Sequence, residues 1–420
     1  MKREEVRPLL DRASDRLPEP ELTDVAWAGG VAIHRRRRRS VILGLVAVVL
    51  VALIAALIAA LGGNTTGIVP PTTPPSTPPG FIPPAGQIFG IDYWTAPPAG
   101  SERFLDRIET PLGDVLKLPV SAGDLREHPF DRVAAVVLSQ RNGSFTPLLL
   151  DPGSRWARAD LQLRAIKSGE PLSPGAISPD GRLVAFPQPG GVVIIDATQA
   201  NDASTRRVAL PAEDIRSVAW LENSDGLLVS GPGVAYRVLI GAFVVGQEPV
   251  ATVAASNDPF DVAAPYRLDG TGDEVALMRY EANRTWSVDS NPRLPVSTWA
   301  GLTFSQGAIA ARMFIADALP QVPTVVSRPQ VVAAISRQLT LPSRLLVLGE
   351  TPAATPTPGR DTPDRIREPG CCFMLGWYDE QSALLQVEGW VLAWNVQTGQ
   401  VRRVAELEVT GVALGAGLRG

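Results

Sequence analysis

Histidine is, with cysteine, the scarcest of the side chains that carry chemistry: the 420-residue chain has two, His34 and His128. Beyond residue 87 only His128 remains, in a loop-like stretch, so Ser/His/Asp hydrolysis would have to run through it. There is no G-x-S-x-G elbow to present a serine and no Walker-type loop to cradle a nucleotide phosphate. Aspartates are plentiful where turns are expected. Asp180, Asp196, Asp225, Asp269 and Asp273 offer the hard oxygen ligands that calcium takes, and equally the acceptors that cap turn amides, which is the commoner use. Trp220, Trp377 and Trp394 stand in strand-like runs, where an indole packs between sheets more often than it serves as a sugar platform. His34 has no cysteine near it, so a zinc module of the His/Cys kind does not form there. The inventory points away from an enzyme and implies no cofactor and no metal.

The elements that position these residues are divided by one stretch, Val41 to Leu61, which is apolar and uncharged throughout. At about 1.5 Å of rise per residue it covers the roughly 30 Å hydrocarbon core and is expected to be a transmembrane helix. A cleaved signal peptide is the competing reading, but signal h-regions run to about 7–15 residues and seldom follow so long a charged leader. Ala52, Ala56 and Ala60 recur every four residues, a small-xxx-small pattern that suits contact between two such helices. The block Arg35, Arg36, Arg37, Arg38 and Arg39 resists translocation and places the N-terminus in the cytoplasm, so the C-terminal body is extracytoplasmic. The expected organisation is a cytoplasmic tail (1–40), a single-pass span through the lipid bilayer (41–61), a Pro/Thr-rich linker (62–86) and a body (87–420). Eight prolines between residues 70 and 84 keep the linker extended, a stalk of about 3.1 Å per residue. Thr351 to Pro363 is a second Pro/Thr-rich patch and is expected to be an exposed loop.

Charge differs between these parts. The tail carries ten Lys/Arg against seven Asp/Glu, and the rest of the chain 29 against 36, a net of −7 that argues against nucleic acid or anionic lipid as the body's ligand. In the tail, Val6, Leu10, Ala13 and Leu17 fall on one face of a helix that Pro18 and Pro20 end. So short a helix is marginal alone, and its apolar face calls for a partner. Cys371 and Cys372 are adjacent and are the only cysteines. In an oxidising compartment they can join in a vicinal disulfide or stay buried as small apolar residues.

In the body, helical periodicity gives way to short apolar runs separated by turns. Gly175 to Asp196 reads strand, turn (Ser178, Pro179, Asp180, Gly181), strand Leu183 to Phe186, a Gly190-Gly191 turn and strand Val192 to Ile195. Similar units follow Trp220, Leu268, Phe304 and Trp377. From Asp180 to Asp225 to Gly270 the step is 45 residues twice, the period of a four-stranded propeller blade. The fold expected is an all-β β-propeller of six blades: about 131–165, 174–210, 217–252, 260–298, 301–350 and 371–409. Five to seven is the range, with seven if 88–120 forms a blade of its own. The run Val409 to Leu414 follows a complete blade and is predicted to close the ring beside Val133 to Leu138.

The Ser178-Pro179-Asp180-Gly181 turn with Arg182 to Phe186 resembles the WD-repeat-like motif of periplasmic TolB-type propellers. Trp394-Asn395 and Ile195-Asp196 occupy the place of the Trp-Asp pair of WD repeats. The whole layout looks like that of actinobacterial single-pass membrane proteins with an extracytoplasmic propeller. The resemblance implies a binding or sensing module for a protein or envelope ligand, with an envelope scaffold or adhesion protein as the alternative and a propeller enzyme third. The tail, span and outer domain also resemble membrane-bound regulators that hold a sigma factor, although the zinc motif common among them is absent. That similarity implies a cytoplasmic partner docked on Val6, Leu10, Ala13 and Leu17.

Overall fold

The computed structural model describes residues 78–419, apart from 201–203, 222–223, 225, 241–249, 254–265, 272–273, 281–285, 320–327, 338–340 and 350–371. The tail face, the arginine block, the span Val41 to Leu61, the 351–363 patch, Asp225, Asp273 and Cys371 lie outside the described residues. Among the described residues no helix is long and apolar enough to cross a membrane.

The apolar runs form six antiparallel sheets whose order around a ring follows the chain. Blade 2 shows why its sequence is so uniformly apolar. Its strands Leu183–Gln188 and Gly191–Asp196 are buried at every position because both faces are covered by neighbouring blades. Its outer strand Thr205–Ala209 has one buried residue and carries the arginines Arg206 and Arg207. Blade 3 holds Ser217–Trp220, Gly226–Gly231, Val234–Leu239 and Val250–Val253, and blade 4 holds Tyr266–Asp269, Ala276–Tyr280 and Trp286–Ser290. Blade 5 is Thr298–Gln306, Ile309–Ile315, Gln330–Ser336 and Arg344–Val347. Blade 6 is Cys372–Trp377, Ser382–Val387, Trp390–Asn395 and Val401–Leu407.

Blade 1 is assembled from both ends of the body. Ala135–Arg141, Ser144–Leu150 and Trp156–Arg158 come from its start, and the innermost strand is Ala413–Leu414. Ala413 pairs with Val136 and Leu414 with Ala135, so the ring closes where the sequence places it. The hairpin between the first two of these strands turns on Asn142 and Gly143, at φ +50° and +78°, a conformation that Asn-Gly adopts readily.

Residues 88–120 do not make a seventh blade. They belong to a strap laced along the outer edges of existing blades. Ile91–Thr95 runs parallel to Arg344–Val347 of blade 5 and pairs with Gly86–Ile88, and Val115–Leu116 runs parallel to Glu406 and Leu407 of blade 6. Gly123–Asp124 then pairs with Ala157 and Arg158 of blade 1, and the Phe130 amide donates to the Ala197 carbonyl of blade 2. Covering outer strands in this way removes the unpaired edges on which other chains would template. The strap is docked before residue 87: the Ile82 amide donates to Thr398 O, and Trp94 Nε1 donates to Ile82 O at 2.8 Å. Gly399, at φ +75°, is required here, because a Cβ at that position would fall 1.9 Å from Trp94 Nε1.

Candidate functional site

The site lies on the ring axis, where the innermost strands converge. The Ser178-Pro179-Asp180-Gly181 turn joins Ile177, which bridges Val184, to the strand Leu183–Gln188 of blade 2, and its side chains are occupied in holding it. Ser178 Oγ donates to Asp180 Oδ1 (2.5 Å) and accepts from the Leu183 amide (2.9 Å), while Asp180 Oδ1 also accepts from the Arg182 amide (3.1 Å). The turn also ties three blades together: the Val133 amide of blade 1 donates to Gly181 O, and the Asp180 amide donates to Ser224 Oγ of blade 3 (3.2 Å).

Tryptophans lock neighbouring inner strands. Trp220 Nε1 donates to Ala176 O of blade 2 at 2.7 Å, Trp377 Nε1 to Phe304 O of blade 5 at 3.2 Å, and Trp299 Nε1 to Gly270 O of blade 4 at 2.6 Å. Trp394 is fully buried, 6.5 Å from Trp94 between ring centroids. These indoles seal the ring; those of Trp220 and Trp377 also wall the axis.

A 270 Å³ cavity remains on the axis, bounded by inner strands and turns of blades 1, 2, 3, 5 and 6. Leu302 of blade 5 reaches across the ring to Gly175 of blade 2, where an added Cβ would lie 3.3 Å from Leu302 Cδ1 and 3.0 Å from Ala219 Cβ. Leu302 clusters with Ala219, Leu221, Leu228 and Ala235 of blade 3 and is 3% exposed. The lining combines the indoles with Ser178, Thr303, Ser305 and Gln306. Thr303 is buried, and its Oγ1 has no hydrogen-bond partner among the described residues. Arg419 is exposed at the mouth and is the one charged residue in the lining.

Arg419 follows the closing strand in the short 3-10 segment Ala416–Arg419. No G-x-G-x-x-G loop is expected from the sequence motifs, yet Gly415 to Gly420 carries that glycine spacing. It opens no helix after a strand of a βαβ unit, and its glycines meet a packing need instead: a Cβ at Gly417 would lie 2.8 Å from Val133 O. Arg419, Thr303 and Gln306 were not singled out from sequence either. The signal for Arg419 is the predicted closing strand, because whatever follows an innermost strand has to lie beside the axis.

The other sequence candidates are dispersed. His128 is exposed in the strap, its amide bonded to Asp124 O. Asp196 is buried and its Oδ1 accepts from the Thr198 amide and hydroxyl, while Asp269 Oδ1 accepts from the Gly270 amide at 2.7 Å. Both are turn caps. Among the described residues no three His, Cys, Asp or Glu side chains come together as a metal site would need. Cys372 is buried at 3% exposure and is disulfide-bonded.

These features define an all-β, six-bladed propeller with an axial cavity. No protein-family model matches the sequence, and comparison with curated proteins finds no relative. Solved structures with a similar fold include TolB from Acinetobacter baumannii (12% identity, TM-score 0.37), with 67% of this chain and 65% of that chain covered. The chain therefore spans just under two thirds of the TolB chain. A functionally unknown protein from Desulfotomaculum acetoxidans DSM 771 has 12% identity and TM-score 0.35, with coverage of 65% and 78%. A chain of a nidogen/laminin complex has 10% identity and TM-score 0.35, with coverage of 67% and 98%.

Proposed function

We propose that this chain is a binding module whose propeller takes a protein or envelope ligand at the mouth of its axial cavity. The observation that carries this reading is the cavity itself: an indole-walled recess with a buried hydroxyl that has no partner among the described residues and one cation, Arg419, in its lining. Concave sites that combine apolar walls with a few polar groups are where ligands are held. The lining has no carboxylate, histidine or cysteine to act as base or nucleophile, which supports binding over turnover. A photoreactive residue in place of Gln306 is expected to give a discrete adduct in intact cells, and Arg419→Gln is expected to reduce its yield several-fold. The same probe at Val288, exposed on blade 4, is expected to give none. Equal adducts from both positions, or none from the mouth, would defeat this reading.

In this reading the module is held at the cell membrane by residues 41–61, with the tail inside and the propeller outside. What supports it is the arginine block before an uninterrupted apolar run and the docked strap that follows the stalk. The apolar face of the tail would give the module a cytoplasmic regulator as partner, such as a sigma factor; without one, the chain is an envelope scaffold or adhesion protein. Changing Leu10 and Leu17 together to aspartate is expected to abolish capture of that partner while membrane insertion persists. Equal capture by wild type and double variant would leave the tail as an anchor's leader.

A further inference from the structure

A second cavity, of 430 Å³, lies between the strap and blade 1. Strap residues 119–122 form one wall. The other is the face of blade 1 that packs on blade 6, the face of Val137, Leu148 and Leu150. Ser139 and Arg141 continue that face along one strand, and Arg158 stands on the outer strand.

The charge of this groove runs against that of the body. Arg141 and Arg158 both line it, both are exposed, and neither guanidinium has a hydrogen-bond or ion-pair partner among the described residues. The one acid in the lining, Asp160, is already bridged by Arg126 at 3.3 Å. The remaining polar groups are hydroxyls and amides: Ser121, Ser139, and Gln162 with its amide on Thr146 Oγ1 at 3.0 Å. No aromatic residue lines the groove.

Strand register sets the spacing of the two cations. Arg141 pairs with Ser144 and Arg158 with Leu148, so they are separated by four residues along the middle strand and by two strand spacings across it. At about 3.4 Å per residue and about 4.8 Å per strand, their Cα atoms are roughly 17 Å apart. Two guanidinium groups on strands so spaced suit a ligand with repeated anionic groups better than one small ion.

We propose that this groove binds an extended acidic oligosaccharide. Its carboxylates would each take the two-pronged hydrogen bonding that a guanidinium offers, and its hydroxyls would meet the serines and Gln162. Nucleic acid is the other common extended polyanion, but a single strand is held largely by stacking its bases on aromatic side chains, and this groove has none.

The test is fluorescence anisotropy of labelled hexagalacturonate with the purified full-length chain in detergent at low salt. Saturable binding is expected, weakening as salt is added. Arg141→Gln with Arg158→Gln is expected to lower affinity by at least about tenfold. Arg132→Gln with Arg207→Gln, the same charge change at two other exposed arginines, is expected to stay within about twofold. The proposal is overturned if hexagalacturonate does not bind, if the Arg141/Arg158 double variant binds like wild type, or if neutral maltohexaose competes equally. It is also overturned if oligothymidylate binds as tightly through the same two arginines, since the groove would then be a general polyanion or nucleic-acid site.

Discussion

Replacing Arg312 by alanine is expected to cost about 3–5 kcal/mol through two unmet acceptors and a cavity, a large share of the roughly 5–15 kcal/mol by which a domain is stable. Arg312 stands in the second strand of blade 5 and is 1% exposed. Its Nη1 donates to Leu268 O of blade 4 at 2.8 Å and its Nε to Gly301 O at 3.1 Å. The guanidinium lies over the Trp299 ring at 5.2 Å, and that indole donates to Gly270 O of blade 4. One buried cation therefore orients the indole and satisfies carbonyls on two blades. Truncation leaves both acceptors unmet in a dry site, at about 1–3 kcal/mol each, and opens a cavity as well. Arg312→Met separates the two effects, since it restores most of the volume and none of the hydrogen bonds, and it is expected to recover about half of the loss. Urea unfolding followed by tryptophan fluorescence reads both variants. An alanine cost under about 1 kcal/mol would mean that blades 4 and 5 are held by apolar packing alone.

The parts of the fold that were legible in the sequence are those whose physics repeats. Ser178 to Gly181 marks a turn because only a short polar segment with a glycine at positive φ reverses the chain there, and Gly181 sits at φ +78°. The 45-residue step then follows, because each blade must bury both faces and does so with a similar run of antiparallel strands, three or four of them among the described residues. The closing strand was legible by elimination: a run after a complete blade has one open edge left to pair with. The strap was not, because Val115–Leu116 and Gly123–Asp124 are two residues each, too short to carry an alternation. Arg312 was opaque for another reason. Inside the run Ile309 to Ile315 it reads as a polar interruption of a core strand, and one of its two acceptors, Leu268 O, comes from a blade more than forty residues earlier. The axial cavity depends on Leu302 meeting Gly175 from the opposite side of the ring, a contact that exists only once the ring closes.

Deleting residues 409–420 is expected to abolish cooperative folding of the propeller, because the ring is closed by very little chain. Only Ala413 and Leu414 pair with the first blade, supported by the Gly415 and Gly417 amides on Ala134 O and Val133 O. The side chains behind them are deeply buried: Val412 is 3% exposed, Leu414 8% and Leu418 2%, all packed with residues of blades 1 and 6. At about 1.5–3 kcal/mol for each of these three, their loss is of the same order as the stability of a whole domain. It also leaves Ala135–Arg141 as an open inner edge able to pair with another chain. The truncated protein should therefore aggregate, or melt far below wild type without a single sharp transition. A shorter deletion, of 415–420, keeps the two-residue strand and removes Leu418 with Arg419. It should lie between the two, folded but less stable, and it should lose adduct formation at Gln306 if the axial mouth is the binding site. Size-exclusion chromatography and thermal melts of the three proteins, compared under one condition, decide the matter. If the 409–420 deletion stays monodisperse and melts with wild type, closure does not hold the ring together, and the seam between blades 6 and 1 must be secured by the strap instead.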